Sequence, residues 1–225
     1  MKIVISLGGS LVTKEPVVKN MALYAEAIKK IGTENRIIVV VGGGAAARKA
    51  IEIARKKGAN EFEQDIKAIE VTQKNAHDFA NALGDSAEGQ VNKNYTDIVS
   101  LYNSTKKIVV CGGTTPGQST DGAAANLAKL IRADMMINAT NIDGVYDKNP
   151  QEFKDAKKIS MLDYDALMNI LEKNEQSPGK YGLCDVGAVE ILKTQKIPLI
   201  IIDGTDPLEI VRAVEEKHNG SVVGQ

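Results

Sequence analysis

The chain has 225 residues, with 28 Lys and Arg against 29 Asp and Glu, a net charge of −1, 43% hydrophobic and 25% charged residues, and a mean hydropathy of −0.16. This is ordinary globular composition, and a chain of this size buries roughly 70% of its unfolded surface without a disulfide or structural metal. The near-zero charge excludes a general nucleic-acid binder and a polybasic membrane binder, which both need an overall positive field.

Cys111 and Cys184 are far apart and neither belongs to a CxxC pair, which fits reduced thiols and no zinc site. The apolar stretch that opens the chain is too short for a signal peptide or a membrane span, so the expected location is cytoplasmic. Short apolar runs then alternate with glycine-rich turns and segments of helical period, the pattern of an α/β chain with a parallel sheet. Lys2 to Leu7 reads as the first buried strand and is followed by Gly8, Gly9, Ser10. Arg36 to Val41 is the second, followed by Gly42, Gly43, Gly44 and a helix with Ala47, Ala50, Ile51 and Ala54 on one face.

From Phe62 to Leu83, the residues Phe62, Ile66, Ile69, Gln73, Ala76, Ala80 and Leu83 alternate steps of four and three, which predicts one long helix. Its stripe packs inside the subunit or between subunits, and Gln73 weakens a purely apolar core. His77 beside it has no second ligand nearby, so no metal role is expected. Lys107 to Cys111 is the third strand; the turn from Gly112 to Gly117 leads to a helix carrying Ala123, Leu127, Leu130 and Ile131. Met135 to Ala139 and Ile197 to Ile202 complete five strands. Irregular stretches are expected around Gly84 to Asn103, Asp143 to Lys158 and Asn174 to Cys184, and the whole chain, 1–225, reads as one domain.

All three glycine turns fall at the carboxyl ends of strands, where open α/β sheets bind ligands. Backbone without side chains lets a phosphate approach closely, and the helix behind presents free N–H groups and its positive end. Three such turns point to a site for more than one phosphate group. Gly42, Gly44 and Ala47 also satisfy the dinucleotide pattern GxGxxA, but a polar turn and helix start at Gly58 to Gln64 stand where that pattern wants a strand ending in an acid. No GxxxxGK[ST] occurs, which excludes a P-loop. Arg48, in the first turn of the helix after Gly44, either reaches phosphate oxygens or is simply solvated. One of Ser119, Thr120 and Asp121 caps a helix, yet the hydroxyls and glycines from Gly112 to Asp121 exceed what a cap requires. They suit contacts to phosphate, with Asp121 organising cationic groups or magnesium water.

In order along the chain, GGS (Gly8 to Ser10), VVGGGAAAR (Val40 to Arg48), GGTTPGQSTD (Gly112 to Asp121) and ATNIDGVYDKNP (Ala139 to Pro150) resemble the motifs of the amino acid kinase family. The short PGxST form of the third motif looks most like the archaeal-type uridylate kinases within it. The resemblance implies a three-layer αβα sandwich around a mainly parallel sheet, transfer of the γ-phosphoryl of ATP to UMP with Mg²⁺, and a homohexamer built as a trimer of dimers. Carried over residue by residue, it assigns Gly9, Ser10, Gly44 and Arg48 to the ATP phosphates, and Thr140, Asn141 and Tyr146 to the adenosine, with Asn149 where the family has an aspartate. Gly43 faces the UMP phosphate, Asp65 accepts from the ribose hydroxyls, and Thr114, Thr115, Pro116, Gly117, Gln118, Ser119 and Thr120 wrap UMP. Arg48 and Asp121 fall at the transfer centre, and no residue is assigned as a metal ligand.

Two further departures stand out. Many members have a lysine two residues before the first GG pair; here that residue is Ser6, so Arg48, Lys14 or magnesium must compensate. The late GMxxK segment of other members is replaced by Gly182, Leu183, Cys184, Asp185, which weakens an acetylglutamate kinase assignment. The competing readings are a sister kinase for another acidic acceptor such as isopentenyl phosphate or carbamate, which Asp65 disfavours; a silent nucleotide-binding or storage protein, which Ser6 suggests; and a dinucleotide-dependent oxidoreductase.

Overall fold

Strands buried on both faces need apolar side chains on both sides of the chain, and the five apolar runs supply them. The computed structural model describes residues 1–88, 94–150, 152–175 and 183–224. In chain order the elements are β1 (Lys2–Leu7), α1 (Gly9–Val12), α2 (Val17–Gly32), β2 (Arg36–Val41), α3 (Gly44–Lys56) and α4 (Glu61–Leu83), then a 3₁₀ turn (Gly84–Ser86) and β3 (Ala87–Glu88). They continue with α5 (Tyr95–Ser104), β4 (Ile108–Cys111), α6 (Thr120–Ile131), β5 (Met135–Thr140), β6 (Val145–Tyr146), β7 (Lys158–Ile159) and β8 (Met161–Leu162). The last are α7 (Tyr164–Glu175), α8 (Val186–Gln195), β9 (Leu199–Asp203), α9 (Leu208–Val214) and β10 (Ser221–Val223). The five predicted strands are β1, β2, β4, β5 and β9.

Among the described residues the main sheet has the order β3-β4-β2-β1-β5-β9-β10-β8. All pairings from β3 to β9 are parallel, while β10 runs antiparallel to β9 and β6 pairs with β7 in a separate antiparallel ribbon. The winding reverses at β1, with β2, β4 and β3 on one side and β5 and β9 on the other. A crevice opens at the carboxyl ends of the strands at such a switch point.

Strand alternation sorts the side chains into two cores. Ile3, Ile5 and Leu7 of β1 pack with Tyr24 and Ile28 of α2, Phe79 and Leu83 of α4, and Ile210 of α9. Val4 faces the other way, toward a cluster holding Ile98 of α5, Leu127 of α6, Leu167 of α7 and Leu192 of α8. The result is the expected three layers, helix on sheet on helix, and each fully buried side chain of this size contributes ~1.5–3 kcal/mol of apolar transfer.

Helix α4 covers the predicted span and starts with a capping box: Asn60 Oδ1 accepts from the Glu63 N–H and Glu63 Oε2 from the Asn60 N–H, both at 2.9 Å. The stripe divides in two. Ala76, Phe79, Ala80 and Leu83 are core, whereas Phe62 is 63% exposed and Ile66 and Ile69 are half-buried. Gln73, at the division, donates from Nε2 to the Gly113 carbonyl at 3.3 Å, which accounts for a polar residue in an apolar stripe.

The stretch expected to be irregular from Gly84 to Asn103 instead contains most of helix α5, whose buried face is only Ile98 and Tyr102, one turn apart. So short a stripe carries little periodic signal. Parts of that stretch and of Asn174 to Cys184 lie outside the described residues. No described helix is long and apolar enough to cross a membrane.

Candidate active site

Polar residues inside buried strands mark the site. Ser6 shares the face of Val4 and Asn138 that of Met136, and the register sets Ser6 beside Asn138 on neighbouring strands. Each is only 3% exposed, and a buried polar group without a partner costs about 1–3 kcal/mol. Both are partnered. Ser6 Oγ donates to Asp121 Oδ1 at 2.6 Å, and Asn138 Nδ2 donates to the Leu183 carbonyl at 3.0 Å. Asp121 itself lies in the first turn of α6, where the helix dipole favours a carboxylate.

Above this floor two glycine turns meet backbone on backbone. A Cβ on Gly9 would lie 2.3 Å from the Gly42 carbonyl oxygen and 2.4 Å from the Gly44 nitrogen, so no other residue fits there. Gly44 also holds φ +60, the left-handed region where glycine is at ease. The contact brings the start of α3 alongside the starts of α1 and α6. A cavity of about 310 Å³ opens between them, lined by the floor residues Ser6, Asp121, Asn138 and Leu183, the turns Gly8, Gly9, Ser10 and Gly42, Gly43, Gly44, and by Arg48, Thr120, Ala139, Thr140 and Asn141. Among the described residues lining it, Arg48 is the one cation and Asp121 the one anion. Arg48 stands in the second turn of α3 rather than the first, because the helix already begins at Gly44; its side chain is exposed.

Burial, above all, raises the pKa of Asp121 above its ordinary carboxylate value; the Ser6 hydrogen bond opposes the rise and the Asp185 carboxylate adds to it. The Cys184 thiol is pushed up by burial and by the charges of Asp121 and Asp185, which keeps it protonated at neutral pH. Of the segment Gly182 to Asp185, Gly182 lies outside the described residues, while the Leu183 carbonyl serves the floor.

The third glycine turn is held by α4. Thr72 Oγ1 accepts from the Gly113 N–H at 2.7 Å, and Asp65 Oδ2 accepts from the Gly117 N–H at 2.6 Å. Ser119 caps α6 through the Gly122 N–H at 3.0 Å, which leaves Thr120 and Asp121 for the cavity. Thr114, Thr115, Pro116, Gly117, Gln118 and Ser119 lie outside the cavity lining, on the side held by Asp65.

On the opposite side Thr140 and Asn141 line the cavity, but Tyr146 and Asn149 do not. Tyr146 is half-buried on β6 and donates its hydroxyl to Asp143 at 3.1 Å; Asn149 is buried, its carbonyl accepting from the Phe153 N–H at 2.9 Å. Lys14 lines a second cavity of about 340 Å³ that shares Ser10 and Asn141 with the first. Sequence reasoning missed Asn138, whose signal was available: one amide inside the apolar run Met135 to Ala139, beside a serine equally out of place at Ser6.

The sequence profile of the amino acid kinase family matches residues 1–203. The uridylate kinase of Methanobrevibacter smithii is 38% identical over 100% of this chain and 97% of its own length, and that of Methanococcoides burtonii is 41% identical over 95% and 91% respectively. The crystal structure of uridylate kinase from Archaeoglobus fulgidus superposes with a TM-score of 0.90 at 37% identity, covering 99% of this chain and 100% of that one. With full-length likeness in sequence and structure added to glycine turns that converge on one polar cavity, the chain belongs to the amino acid kinase family.

Proposed function

We propose that this protein transfers the γ-phosphoryl of ATP to UMP, giving ADP and UDP, in the cytoplasm and in the service of pyrimidine nucleotide synthesis. The observation that carries the reading is the single cavity in which three strand ends, Arg48 and Asp121 meet, in a chain similar to uridylate kinases over its full length. Gly9, Ser10, Gly44 and Arg48 hold the ATP phosphates, and Thr140, Asn141, Tyr146 and Asn149 the adenosine side. Gly43 faces the UMP phosphate, Thr114 to Thr120 enclose UMP, and Asp65, with Oδ2 engaged by Gly117, offers Oδ1 to the ribose hydroxyls.

The UMP phosphate attacks the γ-phosphorus in line. It needs no general base, because a phosphomonoester is largely doubly ionised at neutral pH, with a second pKa of about 6. Backbone N–H groups of the glycine turns and the Arg48 guanidinium meet the charge that spreads over the transferred oxygens. Positioning supplies the rest. The donor set fits magnesium, a hard cation bound through one or two carboxylates plus substrate phosphates: Asp121 supplies the carboxylate, with the Ser10 and Thr120 hydroxyls lining the same cavity. Magnesium would be held by Asp121 and would neutralise charge on the donor phosphates. Among the described residues no group of three His, Cys, Asp or Glu could hold a metal ion by itself, so most ligands would come from the nucleotide.

The protein works as a homo-oligomer in this reading, a hexamer of three dimers. Its support is the free half of the α4 stripe: Phe62 and, on α3, Ile53 at 46% are exposed, beside a groove of about 500 Å³ lined by Ala54, Ala59 and Ile66 among others. Light scattering should give a particle several times the 24.1 kDa of one chain, and a monomer would refute the assembly.

Offered UMP, CMP, dUMP, isopentenyl phosphate, carbamate and N-acetylglutamate with ATP and magnesium, the protein should prefer UMP; preference for any other overturns the acceptor. Asp65→Ala should raise KM for UMP about tenfold, the worth of a charged hydrogen bond, and erase the preference for UMP over dUMP. Loss of the Gly117 contact would weaken both alike, so it is the ratio that tests ribose reading.

Arg48→Ala should lower kcat by about 10³-fold, the low end of what an arginine supplies to phosphoryl transfer, with the melting temperature unchanged; wild-type turnover would remove Arg48 from the mechanism. Asp121→Asn should lose nearly all transfer yet raise the melting temperature of the unliganded protein. The sign follows from linkage: a carboxylate whose pKa is raised by folding binds more protons folded than unfolded, so its contribution to stability falls as pH rises through that pKa. The gain over wild type should therefore be larger at neutral pH than near the ordinary carboxylate pKa of about 3.9, and a variant that melts lower at both would contradict it.

A further inference from the structure

The loop Thr114 to Ser119 is mostly exposed or half-buried, so its shape depends on polar contacts rather than on a core. One tyrosine makes such a contact. Tyr95 is the first residue of α5, and the start of that helix is fixed by Asn94 Oδ1 accepting from the Asp97 N–H at 2.9 Å. Its ring packs against the core on the α6 side of the sheet. Its hydroxyl donates to Gln118 Oε1, and the side chains of Thr114 and Asn126 lie close enough to influence it. A tyrosine hydroxyl has one proton to donate, and Gln118 receives it.

Gln118 and Thr114 stand at opposite ends of the turn, and Asn126 belongs to α6, where its Nδ2 donates to the Gly122 carbonyl at 3.1 Å. The Gln118 side chain lies against the same first turn: a Cβ at Gly122 would come 2.9 Å from Gln118 Cγ. Between the two ends, Asp65 holds the Gly117 N–H. Thus α4 grips the tip of the loop, α5 grips its Gln118 end through one hydroxyl, and α6 is the surface against which the loop is set.

We infer that Tyr95 is a positioning residue for the acceptor: its hydroxyl holds the loop Thr114 to Gln118 in the shape that receives the acceptor nucleotide, and does nothing for the donor. The inference rests on the reading of this loop as the acceptor side. It separates two properties that a general loss of packing would move together, because the phosphate cavity is lined by other residues.

The test compares wild type with Tyr95→Phe, which keeps the ring and deletes the hydroxyl. Expected are a KM for UMP raised about tenfold, a KM for ATP within twofold of wild type and an unchanged melting temperature. An unchanged KM for UMP overturns the inference. So does a rise in both KM values together with a lower melting temperature, which would mark a purely structural tyrosine. Amide hydrogen exchange of residues 114–119 in the unliganded protein reads the tether without any substrate. Faster exchange there in Tyr95→Phe is expected, and exchange equal to wild type overturns the tether. Failure of wild type to phosphorylate UMP would instead strike the choice of acceptor, and the exchange result would still decide the role of Tyr95.

Discussion

The site depends on one contact in which no side chain takes part: the backbone of Gly9 resting on that of Gly42 to Gly44. Adjacent parallel strands are about 4.8 Å apart, and ordinary turns leaving β1 and β2 would have to diverge to make room for their Cβ atoms. Glycine removes that requirement. The helices behind the turns therefore start side by side, and their free N–H groups point into one volume rather than two. A phosphate chain held there is met by oriented dipoles that need no rearrangement when charge moves. In the proposed reading, this is how a cavity with one lining arginine serves such heavily charged substrates.

The floor of the same cavity solves a second problem. A strand ending beneath a phosphate site must change from apolar to polar without leaving unsatisfied groups in the sheet. Ser6 and Asn138 do so as register neighbours, both turned toward Asp121. Where other members of the family are expected to place a lysine, this chain fixes the carboxylate by a neutral hydrogen bond from Ser6. The charge of Asp121 is thus oriented but not balanced, and its compensation is left to what binds. A functional group kept at a cost to the empty protein is a common bargain at active sites.

Most of the architecture was legible because its signals are redundant. Five apolar strands, three of them followed by glycine turns, admit few arrangements, and the long period of α4 fixed its type and span. The glycine turns and Asp121 could be singled out because so many glycines and hydroxyls at strand ends have no packing purpose. What remained illegible depends on contacts between distant segments. Nothing local distinguishes Tyr95 from a core tyrosine, since its partner Gln118 lies on the next turn. Nor does spacing reveal where the α4 stripe leaves the core at Gln73, because that boundary is set by the arrival of Gly113. The short strands β3, β6, β7 and β8 are two residues each, too brief for any periodic pattern.

The central position of β1 also bears on how the chain reaches its fold. β1 is covered on one edge by β2 and on the other by β5, so during synthesis its second edge waits until residue 140 has been made. Until then the run Ile3 to Leu7 is a bare apolar strand edge, the kind of surface that pairs with strangers. Its first partner, β2, arrives early and hides only half of it. The same strand that anchors the finished site is therefore the segment whose exposure lasts longest on the way to it, and assembly of the nascent chain must outrun aggregation there.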